Sequence, residues 1–496
     1  MTSRADEILI EDVADEAGAD AAAVLSPDNT DATLRGWVIP AIIGSALLMQ
    51  TLNATSINNA LPAMAKALHV EPLRLNLAIT MYLLASAVFL PISGWMADRF
   101  GAKRIFMIAM VLYASASAAC GFAHSLPQLV AFRLIQGCAG AMMGPVGRLV
   151  LLRTTPKNEL VGAMSVVTMP ALLGPVVGPV LGGAIVTFVS WRWIFFLNLP
   201  IAVTGLFLVR AFVPNVKEQD TLPIDWPGIF LTGFGLAGLI FGFENLGRDV
   251  LPPLAVAGLF AGGLACLGLY WAHARRTPHA IIDLSIFRIA TFRASVFGGA
   301  FFRLVPGATP FLLAMLLQVG FGMSAFAAGS MTFISAVAAL AMKTTAPPIL
   351  RRFGFRSVLI VNGVICAATY VVYAFFRPDT PQWVIMSTLA FGGFFRSLQF
   401  TSLNGMAYAD LEQAQMSRGT TTASMAQQFM QSVSVGLAAA LLHFLMKARG
   451  ETHLTAPSVA PAFAIFGVAT LVSLWWFVRL PPDAGDEMNN RGAAAG

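Results

Sequence analysis

The sequence predicts an all-α integral membrane protein of two six-helix halves joined by an inserted helix pair, about fourteen transmembrane helices in all. Three observations predict it. Apolar runs of about 20 residues, long enough to cross a ~30 Å hydrocarbon core, recur from residue 36 to residue 480. Only 11% of the 496 residues are charged and 57% are hydrophobic, whereas a soluble chain carries about 25% charge to face water. Finally, an Arg-Phe-Gly turn followed by further basic residues occurs twice, at Arg99-Phe100-Gly101 and at Arg352-Phe353-Gly354.

The length criterion places helices at residues 36–61, 76–97, 104–123, 126–152, 160–188, 192–213, 226–246, 252–273, 292–318, 324–347, 357–376, 382–407, 419–446 and 460–480. Most links are short, as antiparallel neighbours require, and several carry Pro, Asp or Asn turn signals. Orientation follows from Lys and Arg in the links. With the N-terminus inside, nineteen basic residues fall on the cytoplasmic side, Arg99, Lys103, Arg104, Arg351 and Arg352 among them, and seven on the other. Both termini are therefore expected in the cytoplasm of a bacterial cell, with the chain in the inner membrane. Residues 1–35 carry nine acids rather than a short basic segment, so they read as an acidic disordered tail and not as a cleaved signal peptide.

Both Arg-Phe-Gly turns fall on the cytoplasmic face of this topology, which suggests parallel repeats with a substrate site between them near the bilayer midplane. The halves are 36–213 and 292–480, the inserted pair with its flanking loops is 214–291, and 481–496 is a second tail.

Other classes fit poorly. The net charge of +6 is spread over loops with no basic stripe, so nucleic acid is not a predicted partner. Cys120, Cys138, Cys266 and Cys366 lie inside apolar runs and read as small buried hydrophobes, and the six histidines are scattered, so no metal or other cofactor is predicted. No G-x-x-x-x-G-K-[ST], G-x-S-x-G or H-E-x-x-H occurs, which argues against a pump or an enzyme. The expected partners are a small-molecule substrate, protons, the lipid bilayer and a periplasmic adaptor with an outer-membrane channel. The protein is expected to be a monomer.

The most specific motif runs from Gly94 through Asp98, Arg99 and Gly101 to Lys103 and Arg104. Gly94 and Gly101 permit close helix approach and a tight turn. Asp98, at a helix end beside several cations, can form charge-assisted bonds or cap the N-terminus of a neighbouring helix. In the helix 160–188, Gly174, Gly178 and Gly182 recur every four residues and form a smooth groove. Pro175 and Pro179 each remove a backbone donor, making this stretch either a pivot or simply a tight packing surface. Arg133 sits inside 126–152, where a lone Arg costs about 2.5–3.5 kcal/mol and so should face a cavity or partner, or else reach an interface.

The 94–104 loop resembles the signature G-x-x-x-D-R-x-G-x-[KR]-[KR] of the major facilitator superfamily. Leu52-Asn53-Ala54-Thr55 through Pro62, Arg133-Leu134-Ile135-Gln136-Gly137, Gly174 through Gly183, and Trp191 through Pro200 resemble, in order, its fourteen-helix drug:proton antiporter branch (EmrB/QacA-like), with MdtD-type members most alike. The resemblance implies a major facilitator fold. It also implies proton-coupled efflux of small molecules such as drugs by alternating access, with an importer or uncoupled facilitator as the alternative. It makes Gly94, Asp98, Arg99, Gly101, Lys103 and Arg104 gating residues. It makes Arg133 and Gln136 coupling candidates.

One position departs from the family. Where relatives carry an Asp in the first helix, this chain has Asn53, and no acid falls mid-helix in either half. Glu244, near the outer end of 226–246, is the remaining acidic coupling candidate. Five cations lie within helices: Arg133, Arg148, Arg303, Lys343 and Arg396, of which Arg148 and Lys343 have the option of reaching the interface. A cavity lined by Asn58, Arg303, Arg396 and Gln399 with no carboxylate favours anionic or neutral substrates over lipophilic cations.

Overall fold

The computed structural model describes residues 27–154, 160–214, 225–246, 251–277, 280–411, 416–451, 453–482 and 484. All of the regular structure among them is helical. The first half comprises α1 (Pro27–Leu68), α2 (Asn76–Phe100), α3 (Ala102–Gly121), α4 (Leu126–Thr154), α5 (Leu160–Phe188) and α6, which is split at Leu197 into Trp193–Phe196 and Asn198–Phe212. The inserted pair is α7 (Trp226–Asn245) and α8 (Pro253–Ala274), packed on each other. In the second half, α9 joins Ala290–Arg293 to Gly299–Ala314 through a π-helical turn, Ala294–Gly298, and ends in another, Met315–Gly320. The helical run Ala325–Tyr373 breaks at Gly354 into α10 and α11. After these come α12 (Gln382–Tyr408), α13 (Met416–Ala448) and α14, which runs from Ala456–Thr470 through a 3-10 turn to Leu474–Val478. The acidic tail lies outside the described residues up to residue 26.

Eleven helices among the described residues are long and apolar enough to cross a membrane. That count takes Ala325–Tyr373 once and leaves out both α5, whose apolar stretch Leu173–Phe188 is shorter, and α12. The result is a multi-pass membrane protein close to the expected number of spans.

The internal repeat is carried by its turns. Gly101 and Gly354 both have positive φ, 93° and 73°, a conformation that glycine adopts without steric cost. Two residues beyond each glycine stands a basic side chain at the start of the next helix, and each holds the far end of its own half. Lys103 donates to the Arg210 carbonyl at the end of α6 (3.0 Å), and Arg356 Nη2 donates to the Val478 carbonyl at the end of α14 (2.9 Å). Cations at helix C-termini satisfy orphan carbonyls and the macrodipole together. Equivalent turns therefore do equivalent jobs in the two halves.

The apolar cores are arranged unequally. At the end of the molecule opposite these turns, a single cluster runs through both halves, from Ile57, Leu61 and Met64 to Phe311, Leu316, Phe463 and Leu442. At the turn end the halves keep separate cores. One is built around Ile43, Phe106 and Met143, the other around Phe302, Leu359 and Met406.

A cationic cavity between the halves

Helix α5 forms the sealed end. Its glycine face lies on α1, as the four-residue spacing predicts: Thr55 donates to the Gly174 carbonyl (3.2 Å), Ser56 to that of Gly178 (3.0 Å) and Asn59 to that of Pro179 (2.9 Å). A Cβ at Gly178 would strike Thr55, and one at Gly182 would strike Ser56. The same helix then meets α10 of the other half backbone to backbone. A Cβ at Gly183 would run into the Ala325 carbonyl, and one at Gly329 into the Pro179 carbonyl. Phe326 N donates to Thr187 Oγ1 (3.1 Å), and Phe188 and Phe326 pack ring on ring with centroids 5.6 Å apart.

Toward the turn end from this seal, the halves enclose a cavity of about 410 Å³. Its walls come from Thr55, Asn58 and Asn59 of α1, Pro175, Val176 and Pro179 of α5, Pro306, Thr309 and Pro310 of α9, Ser335 and Lys343 of α10, and Arg396, Ser397 and Phe400 of α12. Arg396 is the principal charge. Its Nη2 donates to Ser335 Oγ (2.9 Å) and its Nη1 to Tyr370 Oη (3.3 Å), two neutral acceptors that fix the planar fork without neutralising it. The exposed Lys343 adds a second cation, and no acid lines the wall among the described residues. Lys343 thus sits at the cavity, where sequence reasoning left an interfacial position open.

Arg303 and Gln399 do not line the cavity, contrary to expectation. A guanidinium has five donors and no acceptor, so it settles where oxygens are concentrated. Arg303 turns back into its own half, donating to the Ser295 carbonyl (2.9 Å) and to Asn404 Oδ1 (3.4 Å). Gln399 lies about a quarter turn round α12 from the Arg396–Phe400 face, at ~100° per residue. It accepts from Asn362 (2.8 Å) and donates to the Leu359 carbonyl (3.1 Å).

Arg133 is 1% exposed and gathers the other coupling candidates of the first half. Its Nη1 donates to Asn53 Oδ1 and to Gln136 Oε1, both at 2.7 Å, and its Nε to the Ala78 carbonyl (3.3 Å). The guanidinium also lies 4.3 Å from the Tyr82 ring centroid, a contact worth about 2 kcal/mol when desolvated. No carboxylate bonds to it among the described residues. Among the described residues, Asn53 Nδ2 and Gln136 Nε2 are buried without hydrogen-bond partners. Glu244 does not join this cluster. It is 1% exposed and bonds instead to Asn76 and Thr80 on α2 (both 3.2 Å).

The gating residues are divided. Arg99 and Arg104 are exposed, and Lys103 and Gly101 serve the turn. A Cβ at Gly94 would meet nothing within 4 Å, so no close approach requires that glycine here: its face of α2 is open. Asp98 falls within α2, but its side chain lies outside the described residues. Sequence reasoning missed Ser335, Tyr370, Asn362 and Tyr82, neutral residues whose only signal was polarity inside an apolar run.

Residues 43–435 match the Major Facilitator Superfamily. The chain belongs to this superfamily. This facilitator is 35% identical over 448 residues to MdtD of Pectobacterium atrosepticum, covering 89% of this chain and 95% of that one. It is also 35% identical to MdtD of Yersinia enterocolitica, covering 92% and 97%. Both relatives carry multidrug resistance in their names. Among solved structures, an auto-inhibited POT family peptide transporter aligns with a TM-score of 0.64 over 90% of this facilitator and 97% of that chain, at 15% identity. A D-xylose–proton symporter aligns with 0.63 over 91% and 98%, also at 15% identity. At such identities the likeness is one of fold. The superfamily, its helices and these relatives make the protein a membrane transporter rather than an enzyme.

Proposed function

We propose that the protein is a proton-coupled exporter that carries small anionic or neutral amphipathic molecules across the bacterial inner membrane by alternating access. The observation that carries this reading is the cavity: two cations and no acid in its walls, a shared apolar core closing one end and separate cores at the other. With the Arg-Phe-Gly turns facing the cytoplasm, as the excess of basic residues on that side supports, the cavity is closed outward and loads from inside. The halves 36–213 and 292–480 rock about the α1–α5 and α5–α10 contacts. The pair 214–291 rides beside them, and both termini are cytoplasmic. Substrate accumulation in inverted vesicles, screened over anionic, neutral and cationic compounds with and without an imposed pH gradient, tests ligand class and coupling together. Exclusive export of cations would end the reading. The neutral company of Arg133, with Asn53 where relatives have Asp, favours an uncoupled facilitator or importer as the second reading.

Two substitutions probe this. Asp98→Asn should slow transport at least about fivefold, the scale of a coupling energy between gate states, while expression and membrane insertion, followed by fluorescence-detected chromatography, stay at wild-type level. A loss of expression instead makes Asp98 structural. Asn53→Asp places a carboxylate on Arg133 and, by supplying an acid for coupling, should raise export of a cationic dye driven by a pH gradient by about tenfold, a coupling energy of roughly 1.4 kcal/mol. A wild type that already exports the dye well, with no gain in the variant, counts against the anionic preference.

A further inference from the structure

The inserted pair meets the second half across a groove of about 510 Å³, a volume within the range of ligand pockets, about 300–1,000 Å³. It shares no lining residue with the central cavity. Leu236 of α7 with Leu267 and Trp271 of α8 form one side, and Met425 and Phe429 of α13 form the other. The groove exists because α8 packs chiefly on α7 and is the least buried apolar span among the described residues. Residues 280–289 strap the end of α8 to the start of α9, and Phe287 of this strap closes one end of the groove. The strap is held in place. Tyr270 Oη accepts from Ile282 N (2.7 Å) and donates to the Ile282 carbonyl (3.0 Å), and Asp225 Oδ2 accepts from Ile281 N (3.2 Å).

Two features select the occupant. Inside the groove the polar groups are already spent. Tyr270 is engaged by the strap, Thr232 donates to the Gly228 carbonyl (2.7 Å), and Thr422 has a partner too. A polar ligand would leave its own groups unsatisfied there, whereas a hydrocarbon chain asks for no hydrogen bond. The rim, in contrast, is basic. Arg275 lies over the ring of Trp271, 4.2 Å from its centroid, and Trp271 is itself 53% exposed. Arg288 directly follows Phe287, and Arg276 and Arg293 flank these two; all four are exposed. Among the described residues none of them pairs with an acid. Asp225 is occupied by His273 (2.7 Å), Asp283 by Ser285 (2.6 Å) and Asp410 by Thr291 (2.8 Å).

We propose that this groove holds an acyl chain of an anionic phospholipid whose phosphate is bound by Arg275 and Arg288. The guanidinium fork matches phosphate oxygens, and a basic rim over a slot between membrane helices suits an anionic headgroup. A zwitterionic lipid fills the slot equally well and gains less at the rim. The bound chain supplies contact between α8 and the second half, which the protein itself makes only sparsely. Neither the transported substrate nor the direction of transport enters into this assignment.

The test uses the purified full chain, with phosphatidylglycerol and phosphatidylcholine of identical chains as probes. Native mass spectrometry should show phosphatidylglycerol held about twenty-five-fold more tightly, since each arginine near an anionic headgroup contributes about fivefold. Arg275→Gln or Arg288→Gln should each lower that preference about fivefold, and the double variant should abolish it. Arg351→Gln, at an exposed position on α10, should leave it unchanged. In liposomes, phosphatidylglycerol with a diazirine at the chain end should label the α13 peptide that holds Met425 and Phe429, and excess phosphatidylglycerol should suppress the label. Equal affinity for the two lipids, or an equal loss with Arg351→Gln, overturns the proposal. So does label confined to Leu264 and Leu269 on the exposed face of α8, which is the pattern of bulk lipid. Displacement of the label by naphthoate, a small amphipathic carboxylate, but not by excess phosphatidylglycerol would give the groove to a transported anion instead.

Discussion

Replacing Arg396 with Gln should weaken binding of an anionic substrate by about tenfold to a hundredfold, and leave binding of a neutral one nearly unchanged. A hydrogen bond to a charged group contributes about 1.5–3 kcal/mol, and each 1.4 kcal/mol is a factor of ten in affinity. Arg396 has both the position and the unspent donors for this. It lines the cavity, and its recorded partners, Ser335 Oγ and Tyr370 Oη, are neutral. The variant should fold, because Tyr370 keeps a second bond from Thr309 (3.1 Å) and Gln offers a donor to Ser335. Arg396→Lys should recover the charge and not the forked geometry, and so restore only part of the loss. Tryptophan-fluorescence titration of purified protein, comparing a carboxylate compound with its amide, measures the difference. Equal losses for the acid and the amide would remove Arg396 from anion recognition.

Gly329→Val should open the sealed end. The new side chain has nowhere to go but into the Pro179 carbonyl of the opposite half, and overpacking of a close contact costs about 1–3 kcal/mol. Spent on only one of two conformations, that energy moves the balance between them by about fivefold to a hundred-and-fifty-fold. The reporter is Ala325→Cys in a cysteine-free background, a residue 8% exposed at the seam. Its alkylation by a membrane-impermeant maleimide should speed up by that factor when Gly329 is enlarged. Gly258→Val on α8, where a Cβ meets nothing within 4 Å, is the matched control and should change nothing. An unchanged alkylation rate at Ala325→Cys would mean that the α5–α10 contact does not form the gate.

These two positions differ in how readily the sequence disclosed them. Arg396 was visible because an arginine within an apolar run demands an explanation. Gly329 was not, since one more glycine among 44 carries no mark of what lies across from it. The groove of Gly174, Gly178 and Gly182 was legible from its spacing, and the structure places it on Thr55 and Ser56. The Arg-Phe-Gly repeat foretold the paired turns at Gly101 and Gly354, because a positive φ leaves a residue signature. Arg303 and Gln399 show the limit. Burial cost says that a polar side chain must find partners, and it is silent on whether these lie in a cavity or within the same half. The π turns of α9 and the break at Leu197 in α6 left no pattern in the hydrophobic periodicity. The setting of Glu244 was hidden because its partners, Asn76 and Thr80, stand more than 160 residues away in sequence.

The cation pair Arg396 and Lys343, facing a cavity without a counter-charge, bears on the response of the cycle to voltage. An elementary charge carried through a potential of 100 mV exchanges about 2.3 kcal/mol, scaled by the fraction of the drop it crosses. Under the proposed export of anions, the empty protein would carry its cations through whichever part of the field the cavity spans, and its return stroke would be electrogenic. A bound anion cancels part of that charge, and the loaded stroke becomes nearly indifferent to the field. On that proposal, a potential negative inside would draw the vacant, positively charged cavity toward the cytoplasmic side.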